Sequence, residues 1–208
     1  MNDLNLKTGD ILLFSNNNKN KWDIFKWFTD FIKWGTHSNY THIGLIVKDP
    51  NFIEDGISRK GLYLWESSWE DIPDINDNKI KMGVQIVPLV QSLKNNSDSD
   101  TFTIRKINNN KLLTNDKLKE INSIVYNKPY DINPSDWIQA FIGKDNHPQK
   151  TNRFWCSALV GYIYIHSGIL HSNTDCSILK PCDFSLIGEN LSFSNDFHLE
   201  PIEEKLIV

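Results

Sequence analysis

"NRFWCSALVGYIYIHSG", residues 152–168, reads as a helix with a cysteine in its first turn. Ala158, Leu159, Tyr162, Ile163 and His166 recur at three- and four-residue steps, the period of one helix face, and Gly168 is a C-terminal stop. Cys156 follows two aromatic residues and occupies the turn whose unpaired N–H groups and positive dipole end favour an anion. Position alone does not separate a nucleophile from a small core residue, because free cysteine is among the most buried residue types. The decision rests on whether a base and an orienting group stand on elements packed beside this helix.

Working outward, "GDILLF" (9–14) reads as a first strand, opened by the turn signal of Thr8, Gly9 and Asp10. Further strands are expected at "HIGLIV" (42–47), "LYLWES" (62–67), "VQIVPL" (84–89) and "TFTIRKI" (101–107), separated by polar, Asn-rich turns. A helix is expected near 115–127, where Leu118, Ile121 and Val125 share a face behind a Thr114 or Asn115 cap. The stretch "WDIFKWFTDFIKW" (22–34) reads as an amphipathic helix, with Phe25, Phe28, Phe31 and Ile32 on its broad apolar face and two Lys and two Asp opposite. The tail from "ILKPCDFSL" onward has no strong period. Strands and helices in this order, with no internal repeat and no linker, predict one domain over residues 1–208, an α+β fold whose mostly antiparallel sheet packs against helices.

Composition narrows the function classes. A chain of 208 residues with 39% hydrophobic and 12% aromatic content can bury a full core. The net charge of −4 and the lack of a long basic stripe give no electrostatic footprint for nucleic acid. No apolar run is long enough to span a bilayer, and the N-terminus lacks the pattern of a cleaved signal. Three cysteines, an odd number in a chain too long to need staples, suit a reducing, cytoplasmic compartment. His166, His171, Cys176 and Cys182 lack the paired short steps of structural zinc ligands, so no metal site is expected. The richness in Asn, Lys and Ile fits an AT-rich genome, such as that of a large DNA virus or a protist.

Two segments supply candidate partners for Cys156. Alternation in "NYTHIGLIV" puts Ile43, Leu45 and Val47 on one strand face and His42, Gly44 and Ile46 on the other, with Gly44 expected to leave room for an approaching group. His37 is a rival for His42 by proximity. In "LYLWESSW", Glu66 shares a face with Leu62 and Leu64, and an acid on an apolar face either meets solvent at the strand end or has a partner. A thiol nucleophile needs an imidazole within hydrogen-bond reach and a polar group on the other ring nitrogen, and these three segments supply that set.

In order, "LKTGDILLF", "YTHIGLIV", "LWES", "KPYD" and "FWCSALV" resemble the circularly permuted branch of the NlpC-type papain-like superfamily. That branch includes bacterial YiiX-type proteins, a poxvirus family and, more distantly, the lecithin:retinol acyltransferase group. The resemblance extends over about residues 6–165. It implies a permuted papain-like hydrolase with Cys156 as nucleophile, His42 as base and Glu66 as orienting residue, and with no metal or organic cofactor. It also matches Tyr130 and Asp131 to a recurring turn, where Tyr130 either packs the turn or lines the substrate cleft. Trp155 keeps the aromatic character of the position before the nucleophile. Phe28 and the rest of the helix at 22–34 are expected either to cap the core or to contact an acyl chain or lipid surface. The implied substrate is a peptide-like or lipid-like amide or ester. The alternatives are a lipid acyltransferase or acyl hydrolase, and a catalytically silent module that holds a lipid or peptide in the same cleft.

Overall fold

The computed structural model describes residues 5–16, 38–97, 100–131, 152–188 and 191–206. The expected helix at 22–34, with Phe28, lies outside the described residues, as does His37. Six strands form one sheet in the order β4-β3-β2-β1-β5-β6. They are β1 (Ile11–Asn16), β2 (Tyr40–Lys48), β3 (Leu62–Trp69), β4 (Met82–Pro88), β5 (Asp100–Ile107) and β6 (Leu199–Leu206). Every neighbouring pair is antiparallel. Three α-helices accompany the sheet among the described residues: α1 (Leu89–Asn96), α2 (Asn115–Val125) and α3 (Cys156–His166). The fold is therefore α+β. No helix among the described residues is long and apolar enough to cross a membrane.

Both sheet faces are apolar, and each is covered by different helices. Ile11, Leu13, Ile43, Leu45, Val47, Trp65, Val84 and Ile86 pack with Leu118, Ile121 and Val125 of α2 and Leu159 and Ile163 of α3. The alternate positions, Leu12, Phe14, Ile46, Leu64, Val87, Phe102 and Ile104, pack with Leu89 and Leu93 of α1. The side-chain period of two therefore sorts each strand into two cores, as read for β2 and β3 from the sequence.

Local chemistry sets the boundaries. The Thr114 side chain accepts from the Lys117 N–H at the start of α2, the cap expected there. Gly168, at φ +78°, follows the C-terminus of α3, a left-handed position that glycine takes without strain. Two elements differ from the sequence reading. Leu89 ends no strand: Pro88 stands before the first turn of α1, an eight-residue helix. The tail forms β6, which pairs with β5 at the sheet edge. Its half-buried Glu200, Glu203 and Glu204 and its exposed Lys205 suit an edge and hide the strand period.

Helix α3 differs most from a one-faced helix. Every residue from Cys156 to Tyr164 is buried, because the short 3-10 turns Cys176–Ile178 and Pro181–Phe184 accompany it in addition to the sheet. Gly161 permits the close approach, since a Cβ there would stand 2.5 Å from Leu179 Cδ1 and 3.1 Å from Cys176 Cβ. His166, at the C-terminal end, is exposed.

Candidate active site

Cys156 is the first residue of α3, and Trp155 before it holds an extended backbone that offers no side-chain cap. The first-turn amides are therefore not taken by a capping side chain, and the dipole end remains available to a negative oxygen. Two hydrogen bonds fix the approach to this turn. Ser67 Oγ of β3 donates to the Phe154 carbonyl at 2.7 Å, and Ser157 Oγ donates to the Leu179 carbonyl at 2.7 Å. The Phe154 N–H donates to the Pro129 carbonyl at 3.1 Å and the Asp131 N–H to the Phe154 carbonyl at 3.1 Å, so the "KPYD" turn and the residues before Cys156 run side by side. That turn in turn holds β4: the Val84 N–H donates to the Lys128 carbonyl at 2.9 Å. Only glycine fits at position 83, where φ is +146° and a Cβ would meet the Lys128 oxygen at 2.2 Å.

His42 stands near the start of β2. Phe14 pairs with His42 but Ser15 pairs with Tyr40, so Thr41 is an extra residue beside it. A bulge of this kind bends the strand and re-aims the neighbouring side chains. The Phe14 ring meets the imidazole edge-on, with centroids 4.9 Å apart. Nε2 of His42 lies 2.6 Å from Oε2 of Glu66, which is completely buried, whereas the His42 side chain keeps 21% of its surface exposed. Cys156 acts on the same ring electrostatically. Burial opposes charging of the ring, but Cys156 and then Glu66 outweigh it and hold the imidazole well above its ordinary value. With Nε2 on Glu66, Nδ1 is the nitrogen left for the thiol.

The structure thus brings Cys156, His42 and Glu66 together, from α3, β2 and β3. Tyr130 joins them: it is half-buried, and burial first, then the charge of Cys156, then that of Asp131, push its phenol well above its ordinary value. Trp155 sits in the core at 8% exposure and donates from Nε1 to the Leu179 carbonyl at 3.3 Å, which braces the helix start. The room expected beside Gly44 is filled by Leu64, whose Cδ1 would lie 2.6 Å from a Cβ at that position. All three cysteines are buried and none forms a disulfide, and Cys156 is at 3% exposure. Burial, then the charge of Asp183, raises the Cys182 thiol. Among the described residues no group of three or more His, Cys, Asp or Glu side chains is arranged to hold a metal ion.

Three further residues belong to this surrounding and were not read from the sequence. Gln85 pairs across the sheet with Glu66, and its Nε2 lies 2.9 Å from Ser68 Oγ and 3.5 Å from Glu66 Oε1. Ser67 reaches Phe154 from the opposite face. Glu70 continues the alternation of Glu66 and Ser68 and is 6% exposed. The available signal was a polar residue recurring at every second position of "WESSWE" and a glutamine inside the apolar run "VQIV".

No protein-family model matches the chain, and neither does any curated protein.

Proposed function

We propose that this chain is a thiol hydrolase of the circularly permuted papain-like kind, acting on an amide or ester carbonyl. The observation that supports the reading best is one imidazole with a buried carboxylate 2.6 Å from Nε2 and the thiol of a helix-opening cysteine as its other partner. In this reading Glu66 holds the His42 ring in place and stabilises its protonated form. His42 takes the Cys156 proton, the sulfur attacks the carbonyl carbon, and the first-turn amides of α3 receive the developing oxyanion. The imidazolium then gives its proton to the leaving amine or alcohol as the carbon–heteroatom bond breaks, leaving a thioester on Cys156. Water, deprotonated by His42, attacks that thioester, releases the acid and restores the thiol. Tyr130, beside Cys156, lines the approach of a peptide-like or lipid-like substrate. The odd number of cysteines in a chain of this length supports a reducing, cytoplasmic compartment.

The test is capture of the covalent intermediate. Incubation with panels of p-nitrophenyl acyl esters and peptide amides, quenched in acid, should give an acyl adduct that maps to Cys156 by mass spectrometry and is absent from Cys156→Ala. The 3% exposure of Cys156 favours a second reading, a silent module that binds a lipid or peptide in the same cleft. Saturable ligand binding with no adduct on Cys156 from either panel would establish that second reading.

A further inference from the structure

We propose that Glu70 is a positioning residue for the His42–Glu66 pair: it stands behind them as a neutral acid, which leaves Glu66 the one charged carboxyl on that strand face. Its bearing on catalysis rests on the thiol-hydrolase reading, but its protonation and its effect on His42 do not.

The geometry comes from β3 and α1. Alternation along β3 places Glu66 and Ser68 on the side covered by α1, and Glu70, the residue after the strand, meets the same helix. Oε1 of Glu70 accepts from Ser92 Oγ at 2.9 Å and from Asn96 Nδ2 at 2.8 Å, both on α1. Oε2 is buried and has no hydrogen-bond partner among the described residues. An ionised Glu70 would thus leave a bare anionic oxygen in an apolar layer, and it would set a second negative charge near the fully buried Glu66. A proton on Glu70 removes both costs and leaves the acceptor role of Oε1 intact. The titratable groups that bear on it are Glu66 of β3 and His42 of β2, while α1 turns Ser92 and Asn96 to it. Burial and then Glu66 push its carboxyl up to about 8, against the pull of Ser92, His42 and Asn96.

The consequence lies in how His42 holds its proton. While Glu70 is neutral, the imidazole answers to Glu66 and Cys156 alone. Once Glu70 ionises, its charge favours the imidazolium as well and delays the loss of that proton as pH rises. Glu70→Gln fixes the neutral condition with nearly the same shape and keeps an oxygen for Ser92 and Asn96.

The experiment uses the full chain, with side-chain carboxyl carbons and imidazole nitrogens followed by NMR across the alkaline range. The Glu70 carboxyl should titrate far above the ordinary carboxylate range. In Glu70→Gln, His42 should lose its proton at a pH lower by about half a unit or more, because the second charge never appears. A second variant, Ser92→Ala, removes a donor that favours the ionised carboxylate and should move the Glu70 midpoint further up. A Glu70 carboxyl that titrates with ordinary carboxylates, a His42 curve superimposed on that of Glu70→Gln, or a Glu70 midpoint unmoved by Ser92→Ala would each overturn the proposal. None of these readouts needs turnover. If they come out as expected while no acyl adduct forms on Cys156, the positioning role stands and the hydrolase reading falls.

Discussion

Replacing Glu66 by Gln tests the electrostatic core of the site with little change of volume. The carboxylate is completely buried and lies 2.6 Å from Nε2 of His42, a ring that is 21% exposed. An opposite charge at such a distance moves a titration by about 1 to 3 units, or about 1 to 4 kcal/mol of preference for the protonated ring. In Glu66→Gln the His42 midpoint should therefore fall by about 1 to 3 units when followed by imidazole NMR. The sign for stability follows from linkage. The folded-state value of His42 is raised above its unfolded one, so the stabilisation is fully present below about pH 6.5 and is lost as pH rises through the folded value. Urea unfolding at about pH 6 should show the variant less stable by about 1 to 4 kcal/mol, and the gap should narrow at alkaline pH. Two results would refute the reasoning: midpoints for protein and variant that agree within about 0.3 unit, or a stability gap that is equal at both pH values.

The other expectations follow from single contacts. Brief iodoacetamide treatment of the folded protein, mapped by mass spectrometry, should label Cys156 ahead of Cys176 and Cys182, because the His42 imidazole acts on Cys156 and burial raises the Cys182 thiol; faster labelling of either of the others contradicts the assignment. Gly83→Ala should destabilise the protein by about 2 kcal/mol or more, since its φ of +146° is strained for alanine and the added Cβ would meet the Lys128 oxygen; an unchanged melting temperature would count against this account. Ser67→Ala should cost about 1 kcal/mol in urea unfolding, because the Phe154 carbonyl keeps the Asp131 N–H when it loses the hydroxyl. Glu70→Gln should be more stable than the natural chain by about 2 to 4 kcal/mol near pH 8 and equal to it near pH 4.5, because the raised carboxyl loses stability as pH climbs between those values; a constant difference across that range would refute the neutral acid.

The strands were legible wherever both faces were apolar. "HIGLIV" and "GDILLF" announce β2 and β1, and their alternation correctly divides Leu45 from Ile46 between two cores. The β6 strand was not legible, because an edge strand carrying three Glu and a Lys need not alternate. Helix α1 was hidden because the strand was read one residue too far, to Leu89, whereas Pro88 both ends β4 and stands directly before the first helical turn. Of the candidate site, His42 and Glu66 were named because each is polar in an otherwise apolar strand, and Cys156 because it opens a helix. Gln85 and Glu70 broke the same pattern and were passed over, since their relation to Glu66 is a cross-strand register and a helix contact, and neither is written in local spacing.

The position of Glu66 explains why so much polar matter accumulates on this face. A carboxylate without solvent needs its charge matched and its lone pairs occupied, and His42 supplies only one contact, on Oε2. Its other oxygen has Gln85 Nε2 at 3.5 Å, a long contact, because that amide is already committed to Ser68 Oγ at 2.9 Å. Glu66 is thus held firmly on the His42 side and loosely on the other. Such asymmetry suits an orienting group: the strong bond fixes the imidazole, and the weak one leaves the charge concentrated on the oxygen that faces it. A second ionised acid on the same face would undo that balance. The two α1 donors on a single oxygen of Glu70 hold that side chain back against the helix, so the sheet face keeps one anion for one imidazole.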